Sequence, residues 1–319
     1  MENARRADVA VIVVTYNSAD VLGELLESLP RALAGCTSTV TVVDNDSQDS
    51  IAELVQGSGA QLISMGYNAG YAAAINAGMS PARPARSVLI LNPDIRLEPG
   101  AVAVMLDCMR RRGAGIVVPR LVDGDGQLIY SLRREPNVRR SLGDTLLGTR
   151  RAGHSHMWGE VFTRPEHYRH ETVADWATGA AMLISDRCVA ACGRWDESFF
   201  LYSEETEYCL RARDQGFELV LCPAVTAVHL GGESKVSPRL RTLLVVNRLR
   251  LYARARSRAA TTMFWLVAVA REASRTLRGR PASREVLVAL LSRRRMRCAR
   301  QAVSGSSGTL TTGRSDAVG

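Results

Sequence analysis

Glu204, Glu205 and Glu207 stand within four residues of one another, directly after the apolar run Phe199-Phe200-Leu201-Tyr202. Carboxylates crowded against an apolar wall hold their protons more tightly, because burial and like charge both disfavour ionisation. That moves them towards the range of a useful general base. Glu205 is the candidate base, with Glu204 orienting it or contacting the acceptor; the competing explanation is a helix N-terminus that simply favours acids. Another acid, Asp94, ends the segment Leu91-Asn92-Pro93-Asp94, where an apolar strand stops. Mg²⁺ or Mn²⁺ needs only one or two protein carboxylates when phosphate oxygens and water complete its shell. His229, just ahead of Gly231-Gly232, is a candidate second ligand and suits Mn²⁺ better than Mg²⁺. Trp176, Thr178, Gly179 and Ala180 offer an aromatic face and small residues that a polar ring could approach closely.

Such groups need a frame. Residues 8–14 (DVAVIVV) form a continuous apolar run that predicts a buried parallel strand ending at Thr15-Tyr16-Asn17. Ser18 is the expected N-cap of a helix through Leu22, Leu25, Leu26 and Leu29, stopped by Pro30. A second strand over 39–43 ends at Asp44, whose carboxylate could accept from a ribose hydroxyl or a base N–H, unless it only shapes a turn. There follow a helix near 51–55, a strand at 61–64, a glycine-rich turn with Asn68 and Gly70, a helix over 69–79 and a strand at 87–91. Glycines ahead of a helix let backbone amides approach a phosphate, although a tight strand-to-helix connection also explains them. This alternation predicts an α/β fold with a mainly parallel central sheet and helices on both faces. Functional residues in such sheets gather at strand carboxyl ends, where Thr15, Tyr16, Asn17, Asp44 and Asp94 fall. Beyond a helix over 101–112, a strand at 116–119 and a turn at Asp123-Gly-Asp-Gly, residues 133–169 show little periodicity and read as a loop-rich insertion. A strand near 180–185, a helix over 206–215 and one or two strands within 218–228 complete the body.

Charge is unevenly spread. From Gly231 onward 19 Lys and Arg face four acids, so that residues 1–230 of this +9 chain carry −6. A strongly basic end on an acidic body points to an anionic surface. The cytoplasmic leaflet is preferred to nucleic acid, because residues 240–258 and 261–278 read as helices with Arg on one side and Leu, Val, Phe and Trp on the other. Packing on the body with the arginines in water is the alternative. The seven cysteines are scattered and lack CxxC spacing, which speaks against a disulfide framework or structural zinc. With no apolar h-region and no spanning run of about 18 residues, a cytoplasmic protein is expected. The expected organisation is a catalytic domain over 1–237 (halves about 8–119 and 120–237), a basic helical extension over 238–303 and a disordered tail over 304–319. A nicotinamide-dependent dehydrogenase would begin similarly, but GxGxxG is missing after the first strand. A non-catalytic module binding membrane or nucleic acid would explain the basic end alone.

Taken together, VVTYN (13–17), VVDNDSQDS (42–50), GYNAGYAAAINAG (66–78), LNPD (91–94), WATGAAMLI (176–184), Trp195-Asp196-Glu197, FFLYSEETEYCLRA (199–212) and VHLGG (228–232) resemble the family 2 glycosyltransferases of the GT-A fold. The likeness covers about residues 8–255 and is greatest to the bacterial rhamnosyltransferase branch. It implies an inverting, metal-dependent transferase with a nucleotide-sugar donor. The donor would be dTDP-L-rhamnose, or else a UDP-hexose, UDP-N-acetylhexosamine or UDP-galactofuranose. It also implies a cell-wall or polysaccharide acceptor, polyprenyl-linked and reached at the inner face of the cell membrane. Nucleotide binding would fall to Thr15, Tyr16, Asn17, Asp44, Asn68, Gly70 and Asn92, and sugar or acceptor contact to Trp176, Thr178, Gly179 and Ala180. Asp94 and His229 would hold the metal, with Glu205 as base beside Glu204. Three departures stand out: Asn92 replaces the first acid of the metal motif, Glu204-Glu205 stands where Glu-Asp is usual, and Glu207 where Asp is usual.

Overall fold

The structure, a computed structural model, describes residues 6–79, 85–231 and 237–292. The first half of the chain contains β1 (Val9–Thr15), α1 (Ala19–Ala32), β2 (Ser38–Asp44), α2 (Ile51–Gln56), β3 (Gln61–Ser64), α3 (Tyr71–Gly78), β4 (Ser87–Leu91), β5 (Ile95–Leu97), α4 (Ala101–Arg112) and β6 (Ile116–Val122). Next come β7 (Leu132–Arg133), α5 (Val138–Leu146), α6 (Thr149–Ala152), a 3-10 turn (Pro165–Tyr168), β8 (Val173–Ala174), β9 (Trp176–Ala177) and β10 (Ala181–Ser185). The chain ends its described part with α7 (Asp186–Cys192), α8 (Glu204–Asp214), β11 (Leu219–His229), α9 (Pro238–Ala255), α10 (Arg258–Leu277) and α11 (Pro281–Leu291).

The main sheet runs β3-β2-β1-β4-β10-β6-β11-β5, with β8 also paired to β11. Its first four strands are parallel, as is β6 with β11, while β10 and β5 run antiparallel to their neighbours. Side chains alternate across the sheet, so Val9, Val11 and Val13 of β1 face a core shared with α1 and α4. Ile12 and Val14 face the opposite core, which holds α3 and α8. Each fully buried Leu or Ile in these layers contributes about 1.5–3 kcal/mol.

Several local expectations are corrected. Pro30 does not stop α1, which continues to Ala32 because Leu29, Ala32 and Leu33 are buried in the core. Ser18 holds the N-cap position, but its hydroxyl donates to the Tyr16 carbonyl, and the Ala19 amide is capped instead by Asp49 Oδ2 at 2.8 Å. Residues 133–169 are not a loop-rich insertion, since α5 and α6 lie there. Asn137 caps α5 by accepting from the Arg140 amide at 2.9 Å. Buried Arg134 donates to the Gly159 carbonyl at 3.0 Å and covers the Phe162 ring, while buried Glu160 bonds Arg248 of α9 at 2.8 Å.

The basic helices after β11 also differ from expectation. Arginines of α9 turn towards the body rather than outward: Arg248 pairs with Glu160, Arg254 with Asp196, and nearby Arg256 with Glu135. The expected tail over 304–319 lies outside the described residues, as does Gly232.

Candidate active site

Strand register brings the chemistry together. β1 and β2 end level, with Thr15 opposite Asp44, and β4 ends two positions before Pro93. Antiparallel pairing of β5 with β11 sets Ile95 opposite His229, which carries the histidine to Asp94. His229 Nε2 lies 3.2 Å from Asp94 Oδ2, and the Gly231 amide donates to the same oxygen at 3.2 Å. Burial alone would raise the Asp94 carboxyl, but hydrogen bonds from His229 and Gly231 outweigh it and hold the group below its ordinary value. A Cβ on residue 231 would sit 2.3 Å from Asp94 Oδ2, so only glycine allows this contact.

The glutamates open α8 from a backbone held in an uncommon shape. Tyr202 and Ser203 both have positive φ, 67° and 77°, the left-handed region that non-glycine residues seldom occupy. Asn247 of α9, itself buried, clamps the turn by donating to the carbonyls of Leu201 at 2.9 Å and Tyr202 at 3.3 Å. Glu204 then points inward and Glu205 remains partly accessible. Burial and the Glu205 charge push the Glu204 carboxyl well up. Burial also raises Glu205, opposed by backbone hydrogen bonds and the charge of Arg133. Glu207 is not part of the pair: it bonds Arg211 one turn along, at 2.8 Å.

One cleft of roughly 1190 Å³ receives Thr15, Tyr16, Asn68, Gly70, Asn92, Asp94, Trp176, Thr178, Gly179, Ala180, Glu204, Glu205 and His229 together. Within it Thr15 Oγ1, Asp94 Oδ1, Thr178 Oγ1 and Glu204 Oε2 are buried without a hydrogen-bond partner. Buried polar atoms are nearly always satisfied, so four orphans converging on one space mark a site built for a polar ligand.

Two expected residues stand back from that lining. Asn17 accepts from the Gln48 amide at 2.8 Å, and Asp44 accepts from the Ser47 amide at 3.1 Å, so both shape the loops behind the cleft. Asn45 faces it instead, cross-bonded with Asn68 at 2.9 Å and accepting from the Ala69 amide. Gly70 lines the cleft and also makes a close contact within the protein. Its φ of 91° and missing side chain admit the Phe200 carbonyl, which a Cβ would meet at 2.5 Å and which takes the first amide of α3 at 2.8 Å.

Sequence reasoning missed Tyr71, whose hydroxyl donates to Asn92 Oδ1 at 2.9 Å and so fixes the residue that replaces the usual acid. It also missed Arg133, which lines the cleft near Glu205, and a whole wall supplied by α9, α10 and α11. Helical spacing could have pointed to Tyr71, one position into α3. Nothing local could have pointed to the wall.

Residues 10–161 match the family described as glycosyl transferase family 2. Over that stretch, just under half of the chain, it is similar to family 2 glycosyltransferases, and the chain is a glycosyltransferase. Among relatives of this glycosyltransferase, a low-salt glycan biosynthesis hexosyltransferase, Agl10 of Haloferax volcanii, is 28% identical over 226 residues, 70% of this chain and 67% of that one. An N-acetylglucosaminyl-diphospho-decaprenol L-rhamnosyltransferase of Mycobacterium tuberculosis is 26% identical over 232 residues, 69% of this chain and 75% of that one. Among solved structures, GalNAc-T7 with UDP, GalNAc and Mn²⁺ superposes with a TM-score of 0.55 at 13% identity. That match covers 78% of the glycosyltransferase, which spans 48% of the longer GalNAc-T7 chain. The fold of the glycosyltransferase is GT-A.

Proposed function

We propose that this enzyme transfers L-rhamnose from dTDP-L-rhamnose, with inversion, to a hydroxyl of a cell-wall or polysaccharide glycan carried on polyprenyl diphosphate. The convergence of four unpartnered polar atoms with the Asp94–His229 pair in one cleft carries this reading. The rhamnosyl choice draws on the mycobacterial relative's name. A UDP-sugar donor is the second reading, favoured by the Haloferax relative's designation as a hexosyltransferase.

Thr15, Tyr16, Asn45 and Asn68 would hold the nucleoside end, with Asn17 and Asp44 shaping the loops behind them. Trp176, Thr178, Gly179 and Ala180 would border the sugar and acceptor. The residues present fit a divalent cation, Mg²⁺ or Mn²⁺, at Asp94 and His229. Asp94 Oδ1 is buried and free of partners, and the histidine nitrogen lies beside the other oxygen. No cluster of three or more His, Cys, Asp or Glu could bind a metal among the described residues, so phosphate oxygens would complete the shell. When bound, the cation offsets charge developing on the departing diphosphate. Glu205 takes the acceptor hydroxyl's proton, and the freed oxygen attacks the anomeric carbon from the face opposite the nucleotide. The bond from that carbon to the diphosphate oxygen breaks, and its electron pair leaves with the nucleotide. Burial raises the Glu204 carboxyl and so disfavours a second full negative charge beside Glu205.

With Mn²⁺ present, dTDP-L-rhamnose is expected to release dTDP at least about tenfold faster than UDP-glucose, UDP-N-acetylglucosamine or UDP-galactofuranose release UDP, a gap of about 1.4 kcal/mol in barrier. Nucleotide release measured across this panel tests the donor; faster turnover of a UDP-sugar would replace it.

Peripheral membrane contact belongs to the same proposal, through a different face from the arginine side first expected. No helix among the described residues is long and apolar enough to cross a membrane. α10 buries Phe264 and Val267 together with Glu272, yet Met263, Leu266 and Leu277 are 52%, 47% and 88% exposed on its outer side. Leu146 and Leu147 at the end of α5, which packs on α10, are also exposed. A lipid-linked acceptor would be met by such a stripe lying in the headgroup region. Wild type should float with anionic liposomes and a Met263→Gln/Leu266→Gln/Leu277→Gln variant should not; equal flotation would reject this face.

A further inference from the structure

The wall contributed by the helices after β11 carries charge that the reaction above does not use. Arg241 of α9, Arg275 of α10 and Arg280, the residue before α11, line the same cleft as Glu205 and Asp94. Buried Glu272 is engaged by Arg241 at 2.8 Å. No carboxylate lies within ion-pair distance of Arg275 or Arg280 among the described residues. The Nε atoms of Arg241 and Arg275 are buried without a hydrogen-bond partner. Burial lowers the Arg275 pKa, and Arg241, Arg271 and Arg280 push the same way against Glu272. Several guanidinium groups around one carboxylate repel one another unless an anion joins them. The first turn of α11, residues 281–283, borders the same space and adds the positive end of a helix.

We propose that Arg241, Arg275 and Arg280 form an anion subsite for the diphosphate of a lipid-linked acceptor, separate from the donor diphosphate at Asp94 and His229. The assignment rests on the transferase reading of the cleft. Guanidinium forks match phosphate oxygens two at a time, which a carboxylate-poor arginine cluster is suited to exploit. α10 places Arg275 in the cleft and its apolar stripe outside, so a ligand with a diphosphate head and a hydrocarbon chain meets matching surfaces on one helix.

Farnesyl diphosphate is a workable probe, with binding to the full-length enzyme followed by calorimetry. Arg275→Gln and Arg280→Gln should each weaken it roughly tenfold or more, as loss of a charged hydrogen bond implies. Arg280→Lys should recover part of the loss. Arg278→Gln, outside the cleft lining, should bind as wild type does, and farnesol should not distinguish wild type from the variants. Binding of dTDP and UDP with Mn²⁺ should be unchanged throughout. Unaltered farnesyl diphosphate binding in both Gln variants would overturn the subsite. Weakened nucleotide binding in its place would give the arginines to the donor and overturn it equally. Because Glu205→Gln should bind the probe normally, failure of the catalytic assignment would leave this measurement standing.

Discussion

Glu205→Gln is expected to lower turnover by about 10²- to 10⁴-fold, the usual contribution of a positioned general base, with thermal unfolding and nucleotide binding little changed. Glu204→Gln should behave differently. Burial and the neighbouring Glu205 charge push the Glu204 carboxyl well above its ordinary value, which favours its neutral form, so an uncharged isostere should preserve most of the rate. Signs follow for pH. Glu205 must be unprotonated to act, and burial raises it, so kcat/KM should fall with acidification at a higher pH than a solvent-exposed glutamate would dictate. For stability, a carboxyl raised in the folded state favours folding fully below its unfolded value and loses that contribution as pH rises through the folded one. Glu204→Gln should therefore gain stability over wild type on the alkaline side. Rate profiles and melting curves of the two variants decide the matter. An inactive Glu204→Gln beside an active Glu205→Gln would exchange the roles, since the pair titrates as a unit.

Asp94→Asn is expected to remove at least about two orders of magnitude of activity, because a charged ligand under a departing diphosphate is worth several kcal/mol. Wild type stripped with chelator should lose activity and regain it with Mn²⁺, whereas the variant should not recover at any Mn²⁺ concentration tested. Gly231→Ala provides a graded version. Its added methyl would collide with Asp94 Oδ2, so metal affinity should weaken about 10- to 100-fold while much of the saturated rate survives. Activity in chelated wild type equal to the untreated enzyme would remove the cation from the proposal.

Much of this site was legible because buried parallel strands write themselves as unbroken apolar runs, and polar residues that end such runs fall at the sheet's carboxyl edge. Thr15, Asn92 and Asp94 were found that way. Asn45 was not, since one residue past a strand end the direction of a side chain depends on loop contacts. α5 escaped notice because its buried positions are Ser141, Gly143 and Asp144, so no apolar period announces it. The helices after β11 were legible as helices, but the partners of their arginines were not. Arg248 and Arg254 meet Glu160 and Asp196, distant in sequence, and α10 leaves Met263, Leu266 and Leu277 exposed while burying Phe264, Val267 and Glu272.

Asn247 lies in α9, well downstream of the turn whose carbonyls it grips. During synthesis the strands β1 to β4 can pack early, as the first parts of a growing chain generally do. The turn ahead of α8 gains its clasp only after α9 has left the ribosome and docked. An unfinished chain would thus hold its first strands together while the start of α8, with Glu204 and Glu205, still lacks the contact that fixes its backbone.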